Sequence, residues 1–462
     1  MQLLAKSRFI KVNIISPKIN TYSAYKYSGV EWLGDIPAEW ELAPGFSAYS
    51  ENKRNNKGMK EERVLSLSYG KIIVKPKENL VGLVPESFET YQIVEPGDLI
   101  VRCMDLQNDK TSLRFGLSQN HGIITSAYLN LKVNDKFNSK FLYYYLHSLD
   151  TTKVIYKFGK GLRQNLSFQD FYRLPVFDIP KKLQIAIVKF LDEKTAKIDE
   201  AIAIKEKQIE LLKERKQILI QNAVTRGLDP NVPMKDSGVD WIGEIPEHWD
   251  VIPLKHLLKE KLKYGANESG VAYDPELPRY IRITDFSDEG MLSEKSKLSL
   301  TWKMGGEYLL EDGDILFARS GATVGKCYQF KTTMSSEKHY AFAGYLIKAT
   351  ADKNKLLSDY LKYYSMSDCF TGWREVIFNK ATIENIGADK YAHLPVVLPL
   401  IEEQVEIVNE IKAASEKYYY AINFQQQQIK KLKEETSFIK TSLSISIFYN
   451  NNLFFFCFFF FF

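Results

Sequence analysis

A chain of 462 residues is too long for one compact core and is predicted to divide into two or three domains. With 45% hydrophobic and 26% charged residues it reads as globular rather than disordered, and 62 Lys+Arg against 57 Asp+Glu leave a net charge of +5. That mildly basic balance permits nucleic acid as a partner without demanding it. The four cysteines, Cys103, Cys327, Cys369 and Cys457, form no CxxC pair and have no histidine at zinc-ligand spacing, so free thiols in a reducing cytoplasm and no metal site are expected. Lys and Arg interrupt the opening stretch "MQLLAKSRFIKVNIISPKIN" too often for the apolar core of a signal peptide, which argues against secretion.

In chain order, residues 1–26 form an extension before the first landmark, "YSGVEWLGDIPAEWEL" from Tyr27 to Leu42. Its Gly and Pro punctuation forbids a long helix, and its two tryptophans, Trp32 and Trp40, are expected to clamp the opening strand to a domain. Within the body that runs to residue 180, "GDLIVR" reads as a strand after a turn, "GIITSAYLNLKV" as buried or alternating strand, and "KFLYYYLHSL" as a short aromatic helix. A long helix is predicted over 181–226. Residues 227–400 then repeat the pattern: "DSGVDWIGEIPEHWDV" with Trp241 and Trp249, the strand "GDILFAR", "HYAFAGYLIKA", and the helix "DYLKYYSMSD". A second long helix is predicted over 401–440, before an atypical Phe-rich tail, 441–462.

The repeat is measurable. Trp241 lies 209 residues after Trp32, Glu311 lies 216 after Glu95, and Leu394 in "HLPVVLPL" lies 220 after Leu174 in "RLPVFDIP". Small insertions lengthen the offset while the order of landmarks is kept, as in the duplication of a domain-sized unit. The expected fold is therefore two α/β (α+β) bodies in a pseudo-two-fold tandem repeat, separated by two long antiparallel coiled-coil helices. An apolar seam through Leu191, Ile198, Ile202, Ile209, Leu212 and Leu219 maps, 220 residues on, to Ile411, Tyr418, Ile422, Ile429, Leu432 and Ile439. Even the polar interruption is shared, because Lys205 maps to Gln425. A helix of about 40 residues is about 60 Å long and reads as a spacer. Paired antiparallel, two such helices suit a ligand with two related sites, such as duplex DNA.

Candidate DNA-contacting residues come from two polar stretches of the first body. "VRCMDLQNDKTSLRFG" supplies Arg102, Gln107, Asn108, Lys110 and Arg114, and "KFGKGLRQNLSF" supplies Lys160, Arg163, Gln164 and Asn165. Cations and amides of this kind reach phosphates and base edges. In the second body "FARSGATVGK" places Arg319 and Lys326 at the ends of a glycine-rich turn, and "REVIFNKATIENIG" adds Arg374, Asn379 and Lys380. Loops that differ between the bodies predict an asymmetric target whose letters cannot be read from side-chain identity alone.

"SGVEWLGDIPAEW", "GDLIVRCMDLQNDKTSLRFG" with "GIITSAYLNLKV", "LPVFDIPKKLQIAIVKFLDEKTAKID" and "ERKQILIQNAVTRGLD" together resemble the specificity subunit of type I restriction-modification systems, from about Tyr27 to about Lys440. The resemblance implies two target recognition domains, each reading half of a bipartite DNA sequence, with the helices as a ruler for the gap. It implies no catalysis in this chain. Two methylation subunits would use S-adenosylmethionine to modify adenine, and motor-nuclease restriction subunits would use ATP and Mg.

The residues agree that catalysis is not evident. There is no Asn/Asp-Pro-Pro-aromatic motif and no GxGxxG after a strand, and "GATVGK" is one residue short of a phosphate loop. Two alternatives stand beside the recognition reading. One is a nuclease using acids of "EDGD" or "DFSDEG", which otherwise mark solvated turns. The other is a scaffold inactivated by its tail, where "TSLSISIFYNNNLFFFCFFFFF" replaces a segment like "QNAVTRGLD". The final apolar run is about half the ~20 residues needed to span a bilayer, so no membrane anchor is expected.

Overall fold

The computed structural model describes residues 24–76, 87–109, 112–158, 165–287, 290–320, 324–334, 336–379 and 385–445. The Phe-rich run and Cys457 lie outside the described residues. Two compact units divide the chain, Met1–Ile204 with Gln428–Phe462, and Lys205–Gln427. Each division falls inside a long helix. A unit therefore holds one body, the first half of the helix that follows it, and the second half of the other helix.

Each unit opens by folding its Ser-Gly-Val motif into a hairpin. Tyr25–Tyr27 pairs antiparallel with Asp35–Pro37 in the first unit, and Met234–Asp236 with Glu244–Pro246 in the second. The turns need glycine: Gly34 and Gly243 sit at φ 67° and 74°, where a Cβ is strained. Of the two tryptophans in each motif, the second is the anchor. Trp40 is buried edge-on to Phe177 at 5.0 Å, and Trp249 is buried with its Nε1–H donated to Glu403 Oε2 at 2.8 Å. Burial of such a ring stabilises by roughly 2–3 kcal/mol. Trp32 and Trp241 are only half-buried. The strand after each anchor pairs with the last strand of its body, Glu41–Pro44 with Pro175–Asp178 and Asp250–Pro253 with Pro395–Leu398. Both ends of a body are thereby stitched together just before its long helix begins.

The central sheet is also built twice, with antiparallel neighbours throughout. In the first body the order is Tyr49–Glu51, Leu129–Val133, Leu99–Val101, Phe115–Leu117; in the second it is Lys263–Tyr264, Leu346–Ala349, Ile315–Ala318, Cys327–Gln329. "GIITSAYLNLKV" and "HYAFAGYLIKA" each give two short strands, Gly122–Ile124 and Leu129–Val133, and Tyr340–Phe342 and Leu346–Ala349. The aromatic helices Ser139–Thr151 and Ser358–Tyr364 contribute buried residues to the main cores. These are α+β bodies. They differ at the periphery, where the first carries a hairpin, Leu65–Ser68 with Lys71–Val74, and the second a further four-stranded sheet through Val271–Ala272, Leu298–Ser299, Arg279–Ile281 and Tyr340–Phe342.

The Gly-Asp turn before the central strand is reproduced bond for bond. Gly97 at φ 95° and Gly313 at φ 93° allow the turn, and Asp98 and Asp314 accept the N–H of Glu95 and Glu311 at 2.9 and 2.8 Å. Both carboxylates are buried. Asp98 also receives Arg54 and Asn52, and Asp314 receives Thr350 and lies 3.5 Å from Lys348 Nζ. The acid that closes "EDGD" is therefore a turn anchor and not a solvated group. Asp285, which opens "DFSDEG", is likewise buried and gripped by Arg282. Neither is free to act as a nuclease acid.

The long helices run Lys181–Arg226 and Ile401–Ile445, and within each unit the half of one lies against the half of the other, running in opposite directions. In the first unit Leu191, Ile198 and Ile429 are buried and Ile439 packs on the core. In the second, Ile220, Ala223 and Val224 are buried in one cluster with Ile407, Val408 and Ile411. The seam residues Ile202, Ile209, Leu212, Leu219, Tyr418, Ile422 and Leu432 are half-buried, whereas Ile204, Leu211, Ile218, Tyr420 and Phe424 point outward. Lys205 Nζ donates to Gln425 Oε1 at 3.2 Å, so these repeat equivalents are also neighbours across the pair. No helix among the described residues is long and apolar enough to cross a membrane.

Candidate nucleic-acid interface

In the first body the candidate loop leaves the central strand at Val101 and returns at Phe115. Arg114 organises it from inside. Its side chain is fully buried, and its five N–H groups have five acceptors: Tyr156 OH and the carbonyls of Arg102, Met104, Asp105 and Asp109. Its backbone N–H goes to Asp150 Oδ2 at 2.7 Å, a carboxyl whose pKa burial raises. Arg114 therefore cannot reach DNA, contrary to the expectation from its loop composition; an arginine in a polar stretch turned inward to satisfy carbonyls the loop leaves unpaired.

What Arg114 holds out is the outer edge of the loop. Gln107 and Asn108 are exposed, with Asn108 donating to Asp105 Oδ1 at 2.8 Å. Arg102 is partly exposed and paired with Asp109 at 3.1 Å. The second polar stretch meets this loop, because Asn165 Oδ1 accepts the N–H of Asp105 at 2.9 Å and Leu166 N–H donates to the Cys103 carbonyl at 2.9 Å. Lys110, Lys160, Arg163 and Gln164 lie outside the described residues. Cys103, at the loop's base, is buried, and burial pushes its thiol up to about 12, so it is inert.

Sequence reasoning missed two neighbours of this loop. Lys153 is exposed, with its ammonium 4.6 Å from the centre of the Tyr156 ring. Tyr69 sits at the tip of the Leu65–Val74 hairpin, 91% exposed, at φ 47°, followed by Gly70 at φ 75°. Positive φ at both turn residues fits the twist of a two-residue hairpin turn, but asparagine is the usual first residue. Tyr143 OH pins the Gly70 carbonyl at 3.1 Å, and the tip lies against Leu113 of the candidate loop. The Ser-Tyr-Gly sequence was the available signal.

The second body places Lys326 where the first has Arg114, immediately before the edge strand. Lys326 also faces inward, giving its Nζ–H to the Phe286 carbonyl at 2.6 Å over the Phe286 ring. Lys326 is half-buried, and this bond supports the reading in which the cation holds its own loop. Arg319 differs. Its guanidinium lies 5.0 Å from the centre of the Tyr264 ring, and its buried Nε has no hydrogen-bond partner among the described residues. Tyr264 and Tyr345 are 42% and 64% exposed, and Tyr264 lines a cleft of about 390 Å³ with Lys263, Glu307, Tyr308 and Phe342. Arg374 donates to the Val324 carbonyl at 3.2 Å and packs on Gly325, so it braces the glycine turn. Residues 321–323, Lys380 and the side chain of Asn379 lie outside the description.

No protein-family model matches the chain. It is 21% identical over 308 residues to the type I restriction enzyme MjaVIII specificity subunit of Methanocaldococcus jannaschii, a match covering 63% of this chain and 67% of that relative. A solved structure described as concerning complex assembly and conformational transition of the type I R-M system aligns with a TM-score of 0.63 at 15% identity, over 88% of this chain and 98% of the other. The HsdS subunit of Thermoanaerobacter tengcongensis aligns over 88% of this chain and 97% of its own, at 14% identity and a TM-score of 0.49. By sequence the chain resembles a type I restriction enzyme specificity subunit, and it shares its fold with a chain solved in work on the type I R-M system.

Proposed function

We propose that the chain is the noncatalytic DNA sequence-recognition subunit of a type I restriction-modification complex, reading a bipartite, asymmetric target and directing adenine methylation or restriction by its partners. The observation that carries this reading is one frame written twice with different loops. Hairpin, Gly-Asp turn and central sheet repeat, while the segments beyond Val101 and Ala318 differ in length and side chains. A shared scaffold with divergent loops suits two related readers of unlike half-sites.

In this reading Gln107, Asn108, Arg102 and Asn165, with Lys110, Lys160, Arg163 and Gln164, serve the first half-site. Arg319 and its tyrosines, with Asn379 and Lys380, serve the second. Double-stranded DNA, two methylation subunits and restriction subunits are the proposed partners, in the cytoplasm. S-adenosylmethionine, ATP and Mg belong to those partners' chemistry. The length of the long helices is proposed to set the gap between half-sites.

The test is methylome sequencing of a host carrying this gene and its neighbouring methylase gene against a host lacking only this chain. A modified adenine in a gapped, two-part motif that vanishes with the chain is the expected result; identical methylomes would overturn the reading.

A further inference from the structure

The joint between each body and the long helix that follows it has one part that is identical in the two units and one part that is reversed. The identical part is a buried glutamine. Gln184 Oε1 accepts the N–H of Asn138, just before the aromatic helix, at 2.7 Å, and its Nε2–H goes to the Ile179 carbonyl at 2.8 Å. Gln404, 220 residues later, accepts the N–H of Leu357 at 2.8 Å and donates to the carbonyls of Lys355 and Pro399. Both glutamines are fully buried. This contact fixes a body to a helix but cannot tell one body from the other.

The reversed part is an ion pair about two helical turns further on, eight residues after the glutamine in each helix. In the first unit the body supplies the cation and the helix the anion: Lys140 Nζ lies 2.7 Å from Asp192 Oδ2, and Tyr144 OH donates to Asp192 Oδ1 at 2.6 Å. In the second unit the body supplies the anion and the helix the cation, with Lys412 Nζ 2.5 Å from Asp359 Oδ2. Asp359 is also held by Lys331 at 2.6 Å and by Gln329 at 2.8 Å. Lys140 and Asp359 are the second residues of corresponding helices, and Asp192 and Lys412 are 220 residues apart, so the four occupy matched positions.

We propose that this polarity reversal is a key by which each long helix accepts its own recognition body and rejects the other, whether from the same chain or from a second copy. A duplicated chain needs such a device, because two similar bodies and two similar helices can exchange partners during folding. Docked wrongly, Lys140 would meet Lys412, and Asp359 would meet Asp192. Each exchange replaces an attraction with a repulsion, so discrimination exceeds the modest strength of either partly exposed pair.

The test uses the full-length chain and a charge-reversal cycle read by thermal unfolding and by size-exclusion chromatography with light scattering. Asp192→Lys with Lys412→Asp sets like charges in both correct joints and opposite charges in both wrong ones. The expected result is a melting temperature lower by ~2–4 °C and a several-fold rise in mass above the monomer. Lys140→Asp with Asp359→Lys reverses the bodies instead and is expected to do the same. Combining all four changes restores the correct attractions and should return most of both losses, which a purely local role for any one side chain would not do. A four-fold variant no more stable than either half, or half-reversed proteins that melt and migrate as the wild type, would overturn the proposal.

Discussion

Arg114 and Lys326 stand at the same point of the two bodies, one residue before the edge strand, and both turn their charge inward. The difference is how much each must hold. Arg114 closes a long loop through four carbonyls and a tyrosine hydroxyl, a task that suits a planar five-donor fork. Lys326 closes a shorter one and is seen on the Phe286 carbonyl. Both bodies carry a cation at this position, an arginine below the longer loop and a lysine below the shorter one. Beyond that shared position the loops differ, with Gln107 and Asn108 exposed in one body and Arg319 set against the Tyr264 ring in the other.

The largest expected effect breaks that comparison directly. Arg114→Ala leaves several buried acceptors unpaired and is expected to cost about 3 kcal/mol or more, with Arg114→Lys recovering only part, while Lys326→Ala costs about 1 kcal/mol. Denaturant unfolding followed by hydrogen exchange in each unit reads both; equal costs would mean the two positions do the same work.

The next effect depends on pH. Burial pushes the Asp359 carboxyl up, but hydrogen bonds from Lys331, Lys412 and Gln329 outweigh it and bring it down to about 2. The unfolded carboxyl titrates near 4, so the unfolded chain takes up the proton first. Stabilisation of about 2 kcal/mol is complete above about pH 4 and is lost as pH falls toward 2. Asp359→Asn should flatten this acid limb in the second unit and leave the first unchanged. A limb of unchanged steepness would contradict the assignment.

A smaller and symmetric effect is expected from the buried glutamines. Gln184→Ala and Gln404→Ala should each destabilise their own unit by about 1–2 kcal/mol, because each strands a helix-start N–H together with the carbonyls its amide holds, one for Gln184 and two for Gln404. Unequal costs would show that the shared part of the joint is not shared in energy. The smallest effect has two signs. Tyr69→Asn relieves a left-handed backbone and should stabilise the first unit by up to about 1 kcal/mol, while weakening binding of DNA carrying the first half-site. Greater stability with unchanged DNA binding would remove Tyr69 from the interface.

Much of the frame was legible because it rests on residue types with few alternatives. Glycines at positive φ, a Trp that packs only when buried, and a seven-residue seam leave marks that survive duplication, as Gly34 and Gly243, Trp40 and Trp249, and Leu191 and Ile411 do. The site was less legible. Composition identified the polar loop of Arg102 to Arg114, but whether an arginine points to solvent or into its own loop depends on which carbonyls lack partners, and that is a property of the folded loop. The reversed pairs were hidden differently. A repeat comparison searches for sameness, and Lys140 against Asp359 reads as simple divergence until Asp192 and Lys412 are seen beside them.

The central claim is that each body reads its own half of one target. Replacing residues 44–180 with those of another specificity subunit, and sequencing the modified adenines in a host that supplies the methylase, tests it most directly. The account expects one half of the two-part motif to change while the other half and the gap stay as they were. A motif in which both halves change would contradict it.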